Sequence, residues 1–339
     1  MKQLTVVGPS RLEWLEVPEP RLSGPLGAIV RPVAVAVCDF DRAVVTGRYA
    51  NLPLPIAIGH EIVAEVVEVG AEVRDIRVGM RVVLPLHINC GTCPSCNARR
   101  TNSCTSRPAF SNYGSGARAG DWGGGMSDLL SVPYADAMAA PVPAGLSAVD
   151  CAAVGCNLVD LHRTIAPHLA DFPDPTVLIV GGRAHNMGLY GVVIARALGL
   201  ERIDFLDDDP NVLSAAAALG ARPVLLSDTR SSDLYPIVVD CSGIVDRLAV
   251  ALGKLGPDGV CTPVWPTMGE ATIPAGAMFM RNGRLVMGQP HARAHMDPVL
   301  DLMARGKFTS TSIPTEILPW DSAAEAFGYG ETKRIFVRD

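Results

Sequence analysis

TVLIVGGRAHNMGLYGVVIARALG, residues 176 to 199, runs from four consecutive apolar residues through a pair of glycines into a stretch with apolar positions at helical spacing. A strand that turns at glycine into a helix is the opening unit of an α/β fold. Downstream the rhythm repeats: RIDFLDDD (202–209) reads as a strand and NVLSAAAALG (211–220) as a helix. PVLLS (223–227), PIVVDCSG (236–243) and GVCTPV (259–264) continue as strands, with IVDRLAVALGKLG (244–256) as a helix between the last two. Strands alternating with helices predict a doubly wound parallel sheet.

Upstream the pattern is different. AIVRPVAVAVC (28–38), EIVAEVVEVG (61–70), GMRVVLPL (79–86) and MSDLLSVP (126–133) are short β-branched runs divided by Gly and Pro. They predict an antiparallel, barrel-like β-domain up to about residue 155. After about residue 290, MDPVLDLMARG (296–306) and the last forty residues read as a mixed tail. Periodicity does not assign that tail to either domain.

The chain has 339 residues, 48% of them hydrophobic and 19% charged, with a formal net charge of −6. That length suits two domains of ordinary size. The acidic balance argues against a nucleic-acid partner, and the Arg99–Arg100 pair reads as a solvated loop tip. MKQLTVVGPSRLEWLEV has no apolar core of signal-peptide length and reads as a strand, and no segment offers about 18 uninterrupted apolar residues to span a membrane. A cytoplasmic protein with reduced thiols is expected, and the odd count of nine cysteines agrees with that.

Four of those cysteines fall in CGTCPSCNARRTNSC, residues 90 to 104. Cys90, Cys93, Cys96 and Cys104 offer four soft thiolates within reach of one ion, the requirement of a closed tetrahedral zinc site that holds a loop and performs no catalysis. Iron–sulfur ligation uses related spacings, though the ferredoxin runs differ from this one. Other candidates are dispersed: Cys38 in VAVCDFD, His60 and Glu61 in IGHEIVAEVVEVG, and Cys156 in AAVGCNLVD. Taken singly, each has a plain packing explanation, since a lone Cys after a strand is usually a small buried hydrophobe.

GHE followed by a Val-rich strand ending in glycine, the four-cysteine loop about thirty residues later, and the nucleotide-type fold after it resemble the zinc-dependent medium-chain alcohol dehydrogenase family. The resemblance runs nearly the full chain. It implies an α/β protein with a GroES-like β-barrel catalytic domain, residues 1–155 completed by 290–339, and a Rossmann dinucleotide-binding domain, residues 156–289. It implies two zinc ions per chain, a catalytic one on Cys38, His60 and Cys156 and a structural one on Cys90, Cys93, Cys96 and Cys104. Glu61 takes the place of the family's acid beside the histidine ligand, and Asp41 matches a further, structural acid. A homo-dimer or homo-tetramer acting on a small alcohol or carbonyl compound is expected.

The cofactor motif departs from the family pattern. Gly181, Gly182 and Gly188 are present, but VGGRAHNMGLYG is not Gly-x-Gly-x-x-Gly and looks two residues longer. Asp207, nineteen residues after Gly188 at the end of the second strand, stands where an acid would bind the ribose hydroxyls of NAD. Asp208 and Asp209 follow it, and three carboxylates would repel a 2′-phosphate, which favours NAD over NADP.

A second departure touches mechanism. Two residues after the first zinc cysteine the family carries Ser or Thr to take the substrate proton, and three further on often His; here Phe40 and Ala43 stand in those places. Phe40 is then a substrate-pocket wall or a sign of altered chemistry. Asp160, four residues after Cys156, is a candidate polar group near the nicotinamide. His87, His162, His168, His185, His291 and His295 read as surface or packing residues. The expected activity is hydride transfer between NAD and an alcohol, secondary, larger or a diol. A polyol or sugar dehydrogenase and a non-catalytic zinc- and nucleotide-binding sensor are the alternatives.

Overall fold

The computed structural model describes residues 1–48, 53–117, 120–228, 233–265, 269–330 and 332–338. They form two compact units, Met1–Val159 with Pro290–Asp339, and Asp160–Gln289.

The first unit is built on a seven-stranded sheet. Its path runs Thr315–Pro319, Lys333–Val337, Ala28–Ala36, Glu61–Val69, Arg81–Leu84 and Ala140–Pro141, and Leu130–Val132 pairs with the other end of Ala28–Ala36. A smaller sheet joins Arg11–Glu16, Lys2–Gly8 and Ile56–Ala57. Pro32 lies inside the central strand, where its missing N–H would break a ladder bond, and the register with Glu61–Val69 shifts at Pro32/Ala34. The tail joins this unit: Ile335 stands opposite Ala36 and Val337 opposite Ala34, antiparallel. Two apolar clusters fill the unit, one including Ile62, Val82, Leu84 and Tyr113, the other including Val35, Val37, Ile58 and Phe336.

In the second unit six parallel strands take the order Arg222–Leu225, Ile203–Asp207, Val177–Val180, Tyr235–Asp240, Leu255–Pro263 and Arg284–Leu285. Numbered along the chain that order is 3-2-1-4-5-6, the doubly wound order of dinucleotide-binding sheets. The strand order reverses between Val177–Val180 and Tyr235–Asp240. The helix after the first strand spans His185–Ala197, so it begins ahead of Gly188. Among the described residues no helix is long and apolar enough to cross a membrane.

Candidate metal centres and cofactor site

The sheet of the first unit brings three chain segments to one place. Ala28–Ala36 ends just before Cys38, which caps the helix Asp39–Val45, and Glu61–Val69 begins just after His60. Cys156 arrives on a π-helical turn, Val154–Leu158, in which the Leu158 N–H donates to the Ala153 carbonyl at 3.1 Å. Such single-turn bulges often sit at functional sites. Gly155 lets this turn approach the sheet, because a Cβ there would lie 2.2 Å from the Leu84 carbonyl oxygen.

The result is a buried cluster in which one ligand atom each of Cys38, His60 and Cys156 lies within 4.8 Å of the other two. A tetrahedral ion with bonds of about 2.3 Å separates its thiolates by about 3.8 Å, so the set fits zinc with one position left open. His60 Nδ1 lies 3.1 Å from Asp41 Oδ1, which directs the other ring nitrogen toward the cluster. Asp41 also accepts the Cys38 N–H at 2.9 Å, so a single carboxylate orients two of the three ligand residues. Burial works against a charge on His60, but Asp41 and the Cys38 thiolate outweigh it and hold its pKa well above the ordinary value.

Glu61 does not point at the cluster as a fourth ligand. It is fully buried, pairs with Lys333 Nζ through Oε2, and accepts the Asn157 N–H at 3.1 Å through Oε1. Burial pushes its carboxyl up to about 7, against the pull of Lys333. Lys333 follows from the sheet register, since Ile335 opposite Ala36 sets Lys333 across from Cys38. Phe40 packs edge-on against His60, ring centroids 6.0 Å apart.

The second cluster is Cys90, Cys93, Cys96 and Cys104, whose sulfurs lie within 4.8 Å of one another. Backbone N–H groups point at them: Cys90 N to Cys104 Sγ at 3.4 Å, Thr92 N and Cys93 N to Cys90 Sγ at 3.4 and 3.3 Å. Donation from the Cys96 and Thr105 backbone pulls the Cys93 thiol down to about 5. A ring of N–H donors around four thiols suits a cation with four anionic sulfurs and leaves no open position. None of the nine cysteines is in a disulfide. Among the described residues, none of the other six histidines joins a metal-competent group.

In the second unit the glycines have separate jobs. A Cβ on Gly181 would lie 2.1 Å from Asp207 Oδ2, and one on Gly182, at φ +151°, would lie 2.7 Å from the Ser242 Cα. Gly188 lies one turn into the helix, where a Cβ would meet the Phe205 ring at 3.0 Å. These match the tight-turn and helix-packing roles of the first and last glycines of a dinucleotide motif, with the extra length taken up between them. Asp207 is buried; its Oδ1 accepts the Asp208 and Asp209 N–H groups at 2.7 and 3.1 Å, while Oδ2 has no partner. An orphaned acceptor beneath a side-chain-free turn fits a ribose hydroxyl.

The acidic triplet is more constrained than its sequence suggests. Arg247, buried on the helix Val245–Gly253, donates to the Gly181 carbonyl at 2.9 Å, lies 3.4 Å from Asp207 Oδ1 and contacts Asp208 Oδ1 at 2.5 Å. Asp209 caps the next helix by accepting the Asn211 N–H at 2.8 Å. Asp160 is held by Arg163 at 2.6 Å, and Arg163 also donates to the Gly288 carbonyl.

Sequence reasoning missed Asn157, Lys333 and Arg247. Asn157 left one trace, a polar residue inside the apolar run around Cys156. Lys333 and Arg247 left none, because only strand register brings in the first, and only the packing of Val245–Gly253 on the Gly181 carbonyl and Asp208 brings in the second.

A GroES-like β-unit with two zinc-competent clusters, together with a 3-2-1-4-5-6 parallel sheet, defines the class of zinc-binding dehydrogenases. Comparison with known proteins agrees. Residues 24–144 match the alcohol dehydrogenase GroES-like domain. The chain is 28% identical to the probable zinc-binding alcohol dehydrogenase Rv1895 of Mycobacterium tuberculosis, over 96% of this chain and 84% of that one. It is 31% identical to the glutathione-independent formaldehyde dehydrogenase of Pseudomonas aeruginosa over 63% of this chain, and that match spans only 56% of the relative's length. The solved alcohol dehydrogenase TADH from Thermus sp. ATN1 superposes over the whole of both chains with a TM-score of 0.91 at 27% identity. Over its whole length the chain is similar to zinc-dependent medium-chain alcohol dehydrogenases, and residues 24–144 carry their GroES-like domain.

Proposed function

We propose that the protein is an NAD-dependent zinc alcohol dehydrogenase acting on a secondary, larger or vicinal-diol alcohol. The observation that carries this reading is the buried cluster of Cys38, His60 and Cys156, three ligands rather than four. A closed site would serve structure alone, whereas an open position admits a substrate oxygen. When bound, zinc supplies a Lewis acid for that oxygen and the nicotinamide accepts the hydride from the carbinol carbon. Asp41 keeps His60 and Cys38 in place, Phe40 walls the site beside His60, and Cys90, Cys93, Cys96 and Cys104 hold a second, structural zinc. Neither Phe40 nor Ala43 can accept the hydroxyl proton, so it leaves through water or through a second hydroxyl on the substrate.

NAD is favoured because Asp207 offers an unpartnered carboxylate oxygen to the ribose. The test is a panel of primary, secondary and vicinal-diol alcohols with zinc-loaded protein and NAD or NADP, followed by nicotinamide absorbance, alongside elemental analysis. About two zinc ions per chain are expected under the ligand arithmetic, with NAD-linked oxidation of secondary alcohols or diols. Fewer than about 1.5 zinc per fresh chain, or no turnover across the panel, would overturn it. A polyol or sugar dehydrogenase is the second reading, supported by the absence of a hydroxyl side chain at residue 40, which a polyhydroxylated substrate would supply itself.

A further inference from the structure

Asn157 is fully buried and has no place in the sequence-based site, yet its side-chain amide and backbone N–H face the three-ligand cluster or its supports. Its amide nitrogen lies 3.2 Å from Cys38 Sγ and 3.7 Å from Cys156 Sγ. Its amide oxygen accepts from Lys333 Nζ at 2.9 Å, and its backbone N–H donates to Glu61 Oε1 at 3.1 Å. Lys333, with no solvent exposure, also pairs with Glu61 Oε2.

The orientation of the amide is fixed by chemistry. An ammonium only donates, so the oxygen must face Lys333 and the NH₂ must face the sulfurs. Two amide hydrogens meet two thiols, one from each of two distant segments. Both Cys156 and Asn157 sit on the π-helical turn Val154–Leu158, so the ligand and the donor are held by the same local backbone.

Two thiolates neutralise a divalent zinc ion and weaken it as a Lewis acid. An N–H donated to a thiolate draws charge away from sulfur and restores part of that strength, and a cation behind the donor polarises it further. We infer that Asn157, backed by Lys333, is a positioning residue that sets the spacing and the electron donation of the Cys38–Cys156 thiolate pair. This rests on the reading of Cys38, His60 and Cys156 as the open zinc site. Asp41 orients the histidine and the Cys38 backbone, whereas Asn157 acts on the sulfurs.

Cobalt substitution tests it, because the thiolate-to-cobalt charge-transfer band reports electron donation by sulfur. The four-cysteine site contributes its own band, so the spectrum of the Cys156→Ala protein is subtracted to isolate the three-ligand site. Asn157→Asp keeps the acceptor for Lys333 and loses both N–H donors; Asn157→Leu loses both functions at similar volume. In each, the isolated band is expected to move to longer wavelength, with kcat/KM of the zinc form lowered about 10- to 100-fold, the usual scale for such outer-shell changes. Asn157→Ser, with one hydroxyl donor, is expected to return part of the shift. If folded Asp, Leu and Ser variants all show the wild-type band, Asn157 is structural only and the inference fails, whatever their activity. If the wild-type protein shows no band beyond that of Cys156→Ala, it is the open zinc site itself that fails. Should Asp and Leu both fail to fold, Ser alone decides between the first two outcomes.

Discussion

If Cys38, His60 and Cys156 hold the open zinc site, Phe40 bears on how a proton leaves it. Its ring stands edge-on to His60, and a phenyl group neither accepts nor relays a proton. Phe40→Ser puts a hydroxyl near the open zinc position and removes an apolar wall. Turnover of small primary alcohols should rise relative to the best substrate of the wild type, and the pH profile of kcat should change, since a well-placed general base contributes about 10²- to 10⁴-fold. An unchanged substrate ranking together with an unchanged profile would show that Phe40 does not border the reacting oxygen.

Arg247 changes what the acidic triplet means for cofactor choice. From sequence, Asp207, Asp208 and Asp209 form a repulsive patch, but one is buried under Gly181, one is paired and one caps a helix. On the proposed use of NAD, selectivity would rest mainly on Asp207. Asp207→Gly should narrow the NAD-over-NADP ratio of kcat/KM by removing the ribose acceptor and releasing Arg247 toward a 2′-phosphate. A charge-assisted bond of about 1.5–3 kcal/mol corresponds to about 10- to 100-fold. Adding Arg247→Met to Asp207→Gly should remove most of the gain for NADP. Equal NADP affinities in the single and double variants, read by nucleotide titration, would exclude Arg247 from this role.

At the scale of elements, the π-helical turn is the most demanding piece of the site. Gly155 has the Leu84 carbonyl where a Cβ would go, and its own carbonyl accepts the Leu86 N–H at 3.0 Å. Gly155→Ala must push the turn off the sheet and carry Cys156 with it. A stability loss of about 1–3 kcal/mol is expected from the overpacking, with zinc lost from the open site before the other. Cys93→Ser should instead lose the zinc of the four-cysteine cluster first, lowering Tm and soluble yield because a structural zinc contributes folding free energy, while Cys156→Ala should leave the fold and stop turnover. Zinc counts and thermal melts on the three variants separate these outcomes.

The same elements show where the sequence was legible. Strand–glycine–helix alternation after residue 176 makes the parallel sheet legible, because buried parallel strands are near-continuous apolar runs. The β-rich first half was equally plain. The helix start at His185 is not legible, because Gly188 reads as turn punctuation where it serves packing against Phe205. The four-cysteine cluster was visible because its ligands are local in sequence. Lys333 was invisible: in KRIFV it reads as any strand-edge lysine, and only pairing with the strand before Cys38 buries it. Arg247 in IVDRLAV likewise reads as a helix surface charge.

For the whole molecule, the first unit is discontinuous in sequence and the second is not. Asp160–Gln289 can satisfy its own parallel sheet from contiguous chain, while the first unit has its outer strands Thr315–Pro319 and Lys333–Val337 on the far side of that segment. This return brings Lys333 to the buried Glu61. An ammonium and a carboxylate out of water cost several kcal/mol each unless they meet. Lys333→Met should leave Glu61 buried without its cation and destabilise the unit by about 3–5 kcal/mol, measured by denaturant unfolding; the paired change Lys333→Met with Glu61→Gln should recover a good part of that.

The strand register that places Ile335 opposite Ala36 also imposes an order in time. Contacts between distant parts of a chain form late, because a long loop must close before they give any return. Prior collapse of the intervening unit shortens that loop, so the nucleotide-type sheet should acquire protection first and the metal pocket should close last. In refolding from denaturant, pulse-labelled amides of Val177–Val180 and Tyr235–Asp240 should become protected before cobalt added at successive times yields the open-site band. The apoprotein would then pass through a stage that holds its parallel sheet and cannot yet grip an ion between Cys38, His60 and Cys156.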